Sequence, residues 1–173
     1  MYQHILVPID GSDAGRQGLM EALRLATAWK ATLRLLYVTC VYPFELEMAN
    51  PADAEGYRRS LKERARHLLR DAEIPVRKAG VTVETAVREL ERGTPASAIA
   101  QEAAGSRCDL VVMGTHGRSG IARAVAGSNA EEVVRKCVVP VLVVRRRAKM
   151  RPHSSAKTSL GGKARKTQIP ASS

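Results

Sequence analysis

The chain has 173 residues, 45% of them hydrophobic but only 3% aromatic, enough for one domain with an aliphatic core of Val, Leu, Ile and Ala. No apolar run reaches the ~18 residues of a membrane helix and the start lacks the charged region of a secretory leader, which predicts a cytoplasmic protein without membrane contact. The net charge of +11 is lopsided: nine of the 28 basic residues and no acidic one fall in 145–173, leaving 19 basic against 17 acidic residues before them, so charge-driven binding of nucleic acid is excluded for the body and confined to the tail.

Cys40, Cys108 and Cys137 are odd in number and widely spaced, and they form no CxxC pair. That argues against a disulfide framework or a zinc site and for a reducing compartment, with the three thiols as small buried hydrophobes.

In chain order, His4 to Ile9 reads as a short apolar strand with Pro8 near its end. Gly11-Ser12-Asp13 is a turn, and Ser12 or Asp13 can cap the helix after it. There Leu19, Ala22, Leu23 and Ala26 recur as one apolar stripe. Thr32 to Val38 is almost wholly apolar, as in a strand covered on both faces. Val41 to Asp53, with Pro43 and Pro51, reads as a loop. A longer helix is predicted from about Ala54, with Leu61, Ala65, Leu68 and Ala72 on its inner face and an end or kink near Ile74 ahead of Pro75. The charged stretch from Tyr57 to Arg70 is its solvated face. Val81, Val83, Thr85 and Val87 alternate like a strand. Thr94 caps a helix that has Pro95 in its first turn and Ala96, Ile99, Ala100 and Ala103 on its apolar side. Cys108 to Met113 is the fourth strand and Val141 to Val144 the last. Alternating strands and helices predict a parallel sheet with helices on both faces and right-handed crossovers. The segment 146–173 is Lys, Arg, Ser, Ala and Gly with few bulky apolar residues, so it cannot bury a core.

The most distinctive stretch follows the fourth strand. Met113-Gly114-Thr115-His116-Gly117-Arg118 is a glycine-rich loop, and Gly127-Ser128-Asn129 opens the last helix. Glycines let the backbone come close to a ligand, and a helix start offers free N–H groups and the positive end of its dipole. Together they have the character of a phosphate cradle in two pieces. Ser128 with Glu131 also fits an ordinary capping box, Asp10-Gly11 an ordinary turn, and Arg118 and His116 ordinary surface residues.

Gly114, two residues, Gly117, nine residues and Gly127-Ser128 resemble the nucleotide loop of the universal stress protein family. The opening Ile5-Leu6-Val7-Pro8-Ile9-Asp10-Gly11-Ser12 and the close Pro140-Val141-Leu142-Val143-Val144 are similar to that family too. The resemblance covers 1–145 and implies a Rossmann-like, doubly wound α/β domain with one five-stranded sheet in the order 3-2-1-4-5; the basic tail over 146–173 lies outside it. It implies ATP as ligand, with Mg²⁺ as a further candidate, and main-chain contact to the base around Ile9 and Val38. The candidate binding set is Pro8, Ile9, Asp10, Gly11 and Ser12 after the first strand, with Val38 ending the second. Met113, Gly114, Thr115, Gly117 and Arg118 follow the fourth strand, and Gly127, Ser128 and Asn129 head the last helix. Backbone N–H groups of the two glycine pieces would hold phosphate, with the Ser128 hydroxyl and Arg118 as further donors. Asp10 suits ribose hydroxyls or a cation, since a bare carboxylate repels phosphate.

A P-loop, a dinucleotide G-x-G-x-x-G, a nucleophile elbow, an H-E-x-x-H pair and a plausible triad are all missing. The expectation is therefore an ATP-binding regulatory or stress-adaptation module with at most slow hydrolysis. A homodimer is expected through the apolar edge Val141–Val144, which would otherwise lie open. The alternatives are a partner-binding structural dimer in which the loop is only a turn, a protein contacting nucleic acid weakly and without sequence preference through its tail, and an adenylating enzyme.

Overall fold

The computed structural model describes residues 1–40, 51–115 and 128–145. Five strands and four helices follow one another as β1 (His4–Pro8), α1 (Asp13–Trp29), β2 (Thr32–Cys40), α2 (Pro51–Lys78), β3 (Val83–Leu90), α3 (Pro95–Gly105), β4 (Leu110–Thr115), α4 (Ser128–Lys136) and β5 (Val141–Arg145). All strand pairs are parallel, in the order β3-β2-β1-β4-β5. This is the doubly wound sheet expected from the sequence. Among the described residues, no helix is long and apolar enough to cross a membrane.

The apolar runs are continuous because each inner strand has helices on both sides. Ile5 and Val7 of β1 enter one core with Leu19, Ala22 and Leu23 of α1 and Leu69 and Val76 of α2. Leu6, between them, points the other way, into a second core with Ile99 and Ala103 of α3 and Val133 of α4. The caps at Ser12 and Thr94 form as predicted. Ser12 Oγ accepts from Gly15 N–H at 2.9 Å, and Thr94 Oγ1 accepts from Ser97 N–H at 3.3 Å with Pro95 at the head of α3. The face of α2 from Tyr57 to Arg70 is mostly exposed, apart from Ala65 and Leu69.

Several boundaries depart from the expectation. α2 runs through Pro75 to Lys78 instead of ending near Ile74. The proline removes a single donor close to the helix end, its own carbonyl still accepts from Ala79 N–H at 3.2 Å, and the fully buried Val76 holds the last turn in the core. The same helix begins at Pro51, inside the predicted loop, as proline at a first helical position allows. β2 extends to Cys40. β3 is a sheet edge, and Thr85 and Val87 of its expected alternation are exposed. Only Cys108 of the three free cysteines is buried; Cys40 and Cys137 are half-buried. Burial pushes the Cys108 thiol up to about 11 and raises Cys137 as well, so neither is a ready nucleophile. The segments 41–50, 116–127 and 146–173 lie outside the described residues.

One polar cluster was invisible in the sequence. Glu102 of α3 is completely buried beneath the β2–β3 side of the sheet. Its carboxylate accepts from Arg34 Nε at 2.8 Å, from Ser106 Oγ at 2.8 Å and from Arg88 Nε, while Arg34 also reaches Glu84 at 2.7 Å. Burial works to raise the pKa of this carboxyl, but the bonds from Arg88, Arg34 and Ser106 outweigh it, and the net lies below the ordinary value. Removing one partner of such a cluster strands the others. Glu102→Ala is expected to cost about 3–5 kcal/mol in urea denaturation at neutral pH. Because the folded state lowers this pKa, the stabilisation is full above the ordinary value of 4.5 and fades as pH falls through the folded one. Urea titrations from neutral to acid pH should show a shallower acid loss in Glu102→Gln than in the parent chain.

Candidate functional site: a crevice at the strand ends

Strands β1 and β4 are fastened at one end and part at the other. At the start, the Asp109 carboxylate accepts from Gln3 and His4 N–H at 2.7 and 3.0 Å, and Asp109 N–H donates to His4 C=O at 2.9 Å. The strands pair at Ile5–Leu110 and Leu6–Val111, after which β4 runs on to Thr115 beside β5. On the other side, β2 follows β1 to Pro8–Leu36, with Ile9 N–H donating to Leu36 C=O at 2.8 Å, and then continues to Cys40 beside β3. The sheet therefore opens where the strand order reverses, at the carboxyl ends, which is where ligands collect in such folds.

A cavity of about 360 Å³ fills this opening. Its apolar wall consists of Pro8, Ile9, Leu36, Val38, Ile99 and Met113, and its polar groups are Asp10, Thr115 and Asn129. Three helix N-termini reach it: α1 through Gly15, α3 through Pro95, and α4 through Asn129 and Ala130. None of the described lining residues is basic. Attraction for an anion must then come from backbone N–H groups and helix dipoles.

Small residues let these elements approach. A Cβ on Gly114 would lie 1.7 Å from the Ala14 carbonyl oxygen, and one on Gly18 would lie 2.6 Å from Gly114 N. Gly114 thus seats α1 on β4, a packing duty that precedes any contact with ligand. At Gly15 a Cβ would come within 2.4 Å of Asp10 Oδ1, which accepts from Ser12 N–H at 2.9 Å. The Asp10–Gly15 turn folds back on itself, committing one Asp10 oxygen and leaving Oδ2 for a hydroxyl or cation.

Of the residues expected at the site, Pro8, Ile9, Asp10, Val38, Met113, Gly114, Thr115 and Asn129 line the cavity. Gly11 and Ser12 instead line a neighbouring groove of about 210 Å³ between α1 and α2, where Gly11 turns at φ +77°. Ser128 opens α4, and Glu131 pairs with Arg135 one turn on. Gly117, Arg118 and Gly127 lie outside the described residues. Sequence reasoning missed Gly15, Leu36, Pro95, Ile99 and Ala130. For Pro95 the Thr94-Pro95 helix start was a usable signal, since a helix N-terminus aimed at the switch point belongs to the site.

Residues 1–145 match the universal stress protein family. A universal stress protein of Methanocaldococcus jannaschii is 34% identical over 148 residues, 84% of this chain and 84% of its own. Among solved structures, a universal stress family protein from Burkholderia pseudomallei is similar with a TM-score of 0.67 and 29% identity, over 83% of this chain and 96% of that one. A universal stress protein solved in complex with cAMP is similar with a TM-score of 0.61 and 26% identity, over 83% of this chain and 97% of that one.

The packing duty of Gly114 is testable without ligand. Gly114→Ala is expected to cost about 3 kcal/mol or more in urea denaturation, because the added carbon collides with backbone that has nowhere to go. Gly105→Ala, at a site with open space, should lie within about 1 kcal/mol of the parent or be more stable.

Proposed function

The chain belongs to the universal stress protein family, and on that premise we propose that its crevice binds an adenine nucleotide, ATP foremost, as a regulatory module with at most slow hydrolysis. The observation that carries this is one cavity whose lining combines apolar side chains with Asp10, Thr115 and Asn129 and is met by three helix N-termini. A flat aromatic base fits between Ile9, Val38 and Met113, where β2 has outrun β1 and its main chain is available to read the base edge. Phosphates fit the N-terminus of α4, where Asn129 and Ala130 carry N–H groups that the helix itself leaves unpaired. Asp10 at the mouth suits the ribose hydroxyls, or a Mg²⁺ that also takes phosphate oxygens and keeps most of its waters. The cAMP complex of a structural relative supports the same ligand class. Hydrolysis has little support: among the described lining residues Asp10 is the one titratable group, and it stands at the rim.

Mass spectrometry of the denatured purified protein should find ATP or a related adenine nucleotide, and calorimetry on stripped protein should give saturable ATP binding. Asp10→Ala is expected to weaken ATP about tenfold, near 1.4 kcal/mol, with the melting temperature preserved. Gly117→Val and Gly127→Val should each weaken it more. Unchanged affinity in both glycine variants would place the phosphates elsewhere.

We extend the proposal to a homodimer through β5. The strand is a sheet edge with Leu142 exposed, and Val134 and Val138 stand exposed on and just after α4. Pairing with a second copy would cover that edge. Sedimentation should show a dimer at micromolar concentration, and Leu142→Lys should shift it to monomer while ATP binding persists.

A further inference from the structure

α4 is the element that brings N–H donors to the proposed phosphate end of the cavity, and it is a short helix. It has nine residues, and among its described side chains Ala130 and Val133 are the buried ones. A helix this short has little stability of its own, so its position depends on what fastens it.

Beside the apolar contact of Ala130 and Val133 with α3, a polar fastening runs to the same helix. Thr94 Oγ1 donates to Glu132 Oε1 at 2.8 Å. Lys136 Nζ donates to Ser97 Oγ at 2.6 Å and pairs with Glu132 at 2.8 Å, while the Thr94 and Ser97 hydroxyl oxygens lie 3.0 Å apart. Thr94 is also the N-cap of α3. A hydroxyl has one proton, and giving it to Glu132 turns its lone pairs toward Ser97 N–H, so Glu132 orients the cap as well as holding the helix. The bonds from Lys136 and Thr94 hold the Glu132 carboxyl below the usual carboxylate range and keep it ionised near neutrality. The joint lies one turn from the cavity on α4 and beside it on α3: Asn129 and Ala130, which line the cavity, precede Glu132 and Val133 by one turn, and Pro95 follows Thr94 directly.

We propose that Glu132, together with Lys136, is a positioning residue for the phosphate end of the nucleotide site, latching the middle and last turn of α4 to the N-terminus of α3 so that the first turns of both helices stay aimed into one cavity. The proposal rests on the crevice being a nucleotide site. Glu132 and Lys136 are partly exposed, and such pairs add little to global stability. Their effect falls on geometry instead, where a displacement of an ångström or less is costly.

The sign of the effect separates this role from simple electrostatics. Deleting a carboxylate near an anion site should strengthen ATP binding through the field alone, whereas deleting a latch should weaken it. The test is calorimetry of the full chain and Glu132→Ala with ATP and with adenosine, beside a melt without ligand. Expected are a loss of about fivefold to tenfold for ATP, less than about twofold for adenosine, and a melting temperature within about 2 °C of the parent. Glu132→Gln keeps an acceptor for Thr94 but loses the charge that draws Lys136, and should lose less. Unchanged or tighter ATP binding in Glu132→Ala, or equal losses for ATP and adenosine, would overturn the latch. A parent chain that binds neither ligand would instead overturn the nucleotide reading and the latch with it.

Discussion

Between Ala14 and Gly114 there is no room for a side chain, because a Cβ on Gly114 would meet the Ala14 carbonyl at 1.7 Å. Gly18 repeats the condition one turn further along α1. This contact lays the first turn of α1 across the end of β4, while Asp109 ties the starts of β1 and β4 together. Held together at one end, the two central strands part after two paired positions, and the first turn of α1 packs on the far end of β4. The crevice is a consequence of that geometry. It would exist without ligand, as a pre-formed site should, and it sets the direction in which α1, α3 and α4 present their N-terminal ends.

α3 is the second organising element, fixed at both ends by different means. Its first turn is capped by Thr94 and joined to α4 through Glu132, and its last turn carries Glu102 into a buried cluster with Arg34 and Arg88. A helix fixed twice is a firm wall for Pro95 and Ile99 at the cavity. The division of labour is notable for its charges. The strongest ionic cluster lies under β2 and β3, away from the cavity, and the described part of the cavity recruits no basic side chain at all. Under the proposed reading, dipoles and N–H groups would attract the phosphates without the competing salt bridges that lysines or arginines would find among the body's acidic residues.

Much of this was legible in the sequence, for physical reasons that differ by element. Inner strands such as Ile5-Leu6-Val7 and Leu110-Val111-Val112 are apolar without a break, and only a sheet covered on both faces explains that. Ser12 and Thr94 announced helix starts because a hydroxyl before an apolar-periodic run has a definite backbone partner. Pro75 misled, since a proline's cost depends on how many helical bonds lie beyond it, and here almost none do. Glu102 was hidden because burial of a charge depends on partners 68 and 14 residues away. Gly114 was singled out for ligand access, and it does line the cavity, but only the packed helix reveals the further steric demand on it. Gly15 and Ile99 belong to the cavity through the fold's three-dimensional closure, which no local pattern records.

The central claim, that the switch-point crevice is where an adenine nucleotide sits, is tested most directly by amide hydrogen exchange of the full chain with and without saturating ATP. The account predicts added protection at Ile9–Asp10, around Val38 and at Asn129–Ala130, three stretches of the cavity lining that the proposed base and phosphates would touch. Protection centred instead on the groove between α1 and α2, at Gly11, Arg16 and Leu68, or no change at any of these positions, would contradict it.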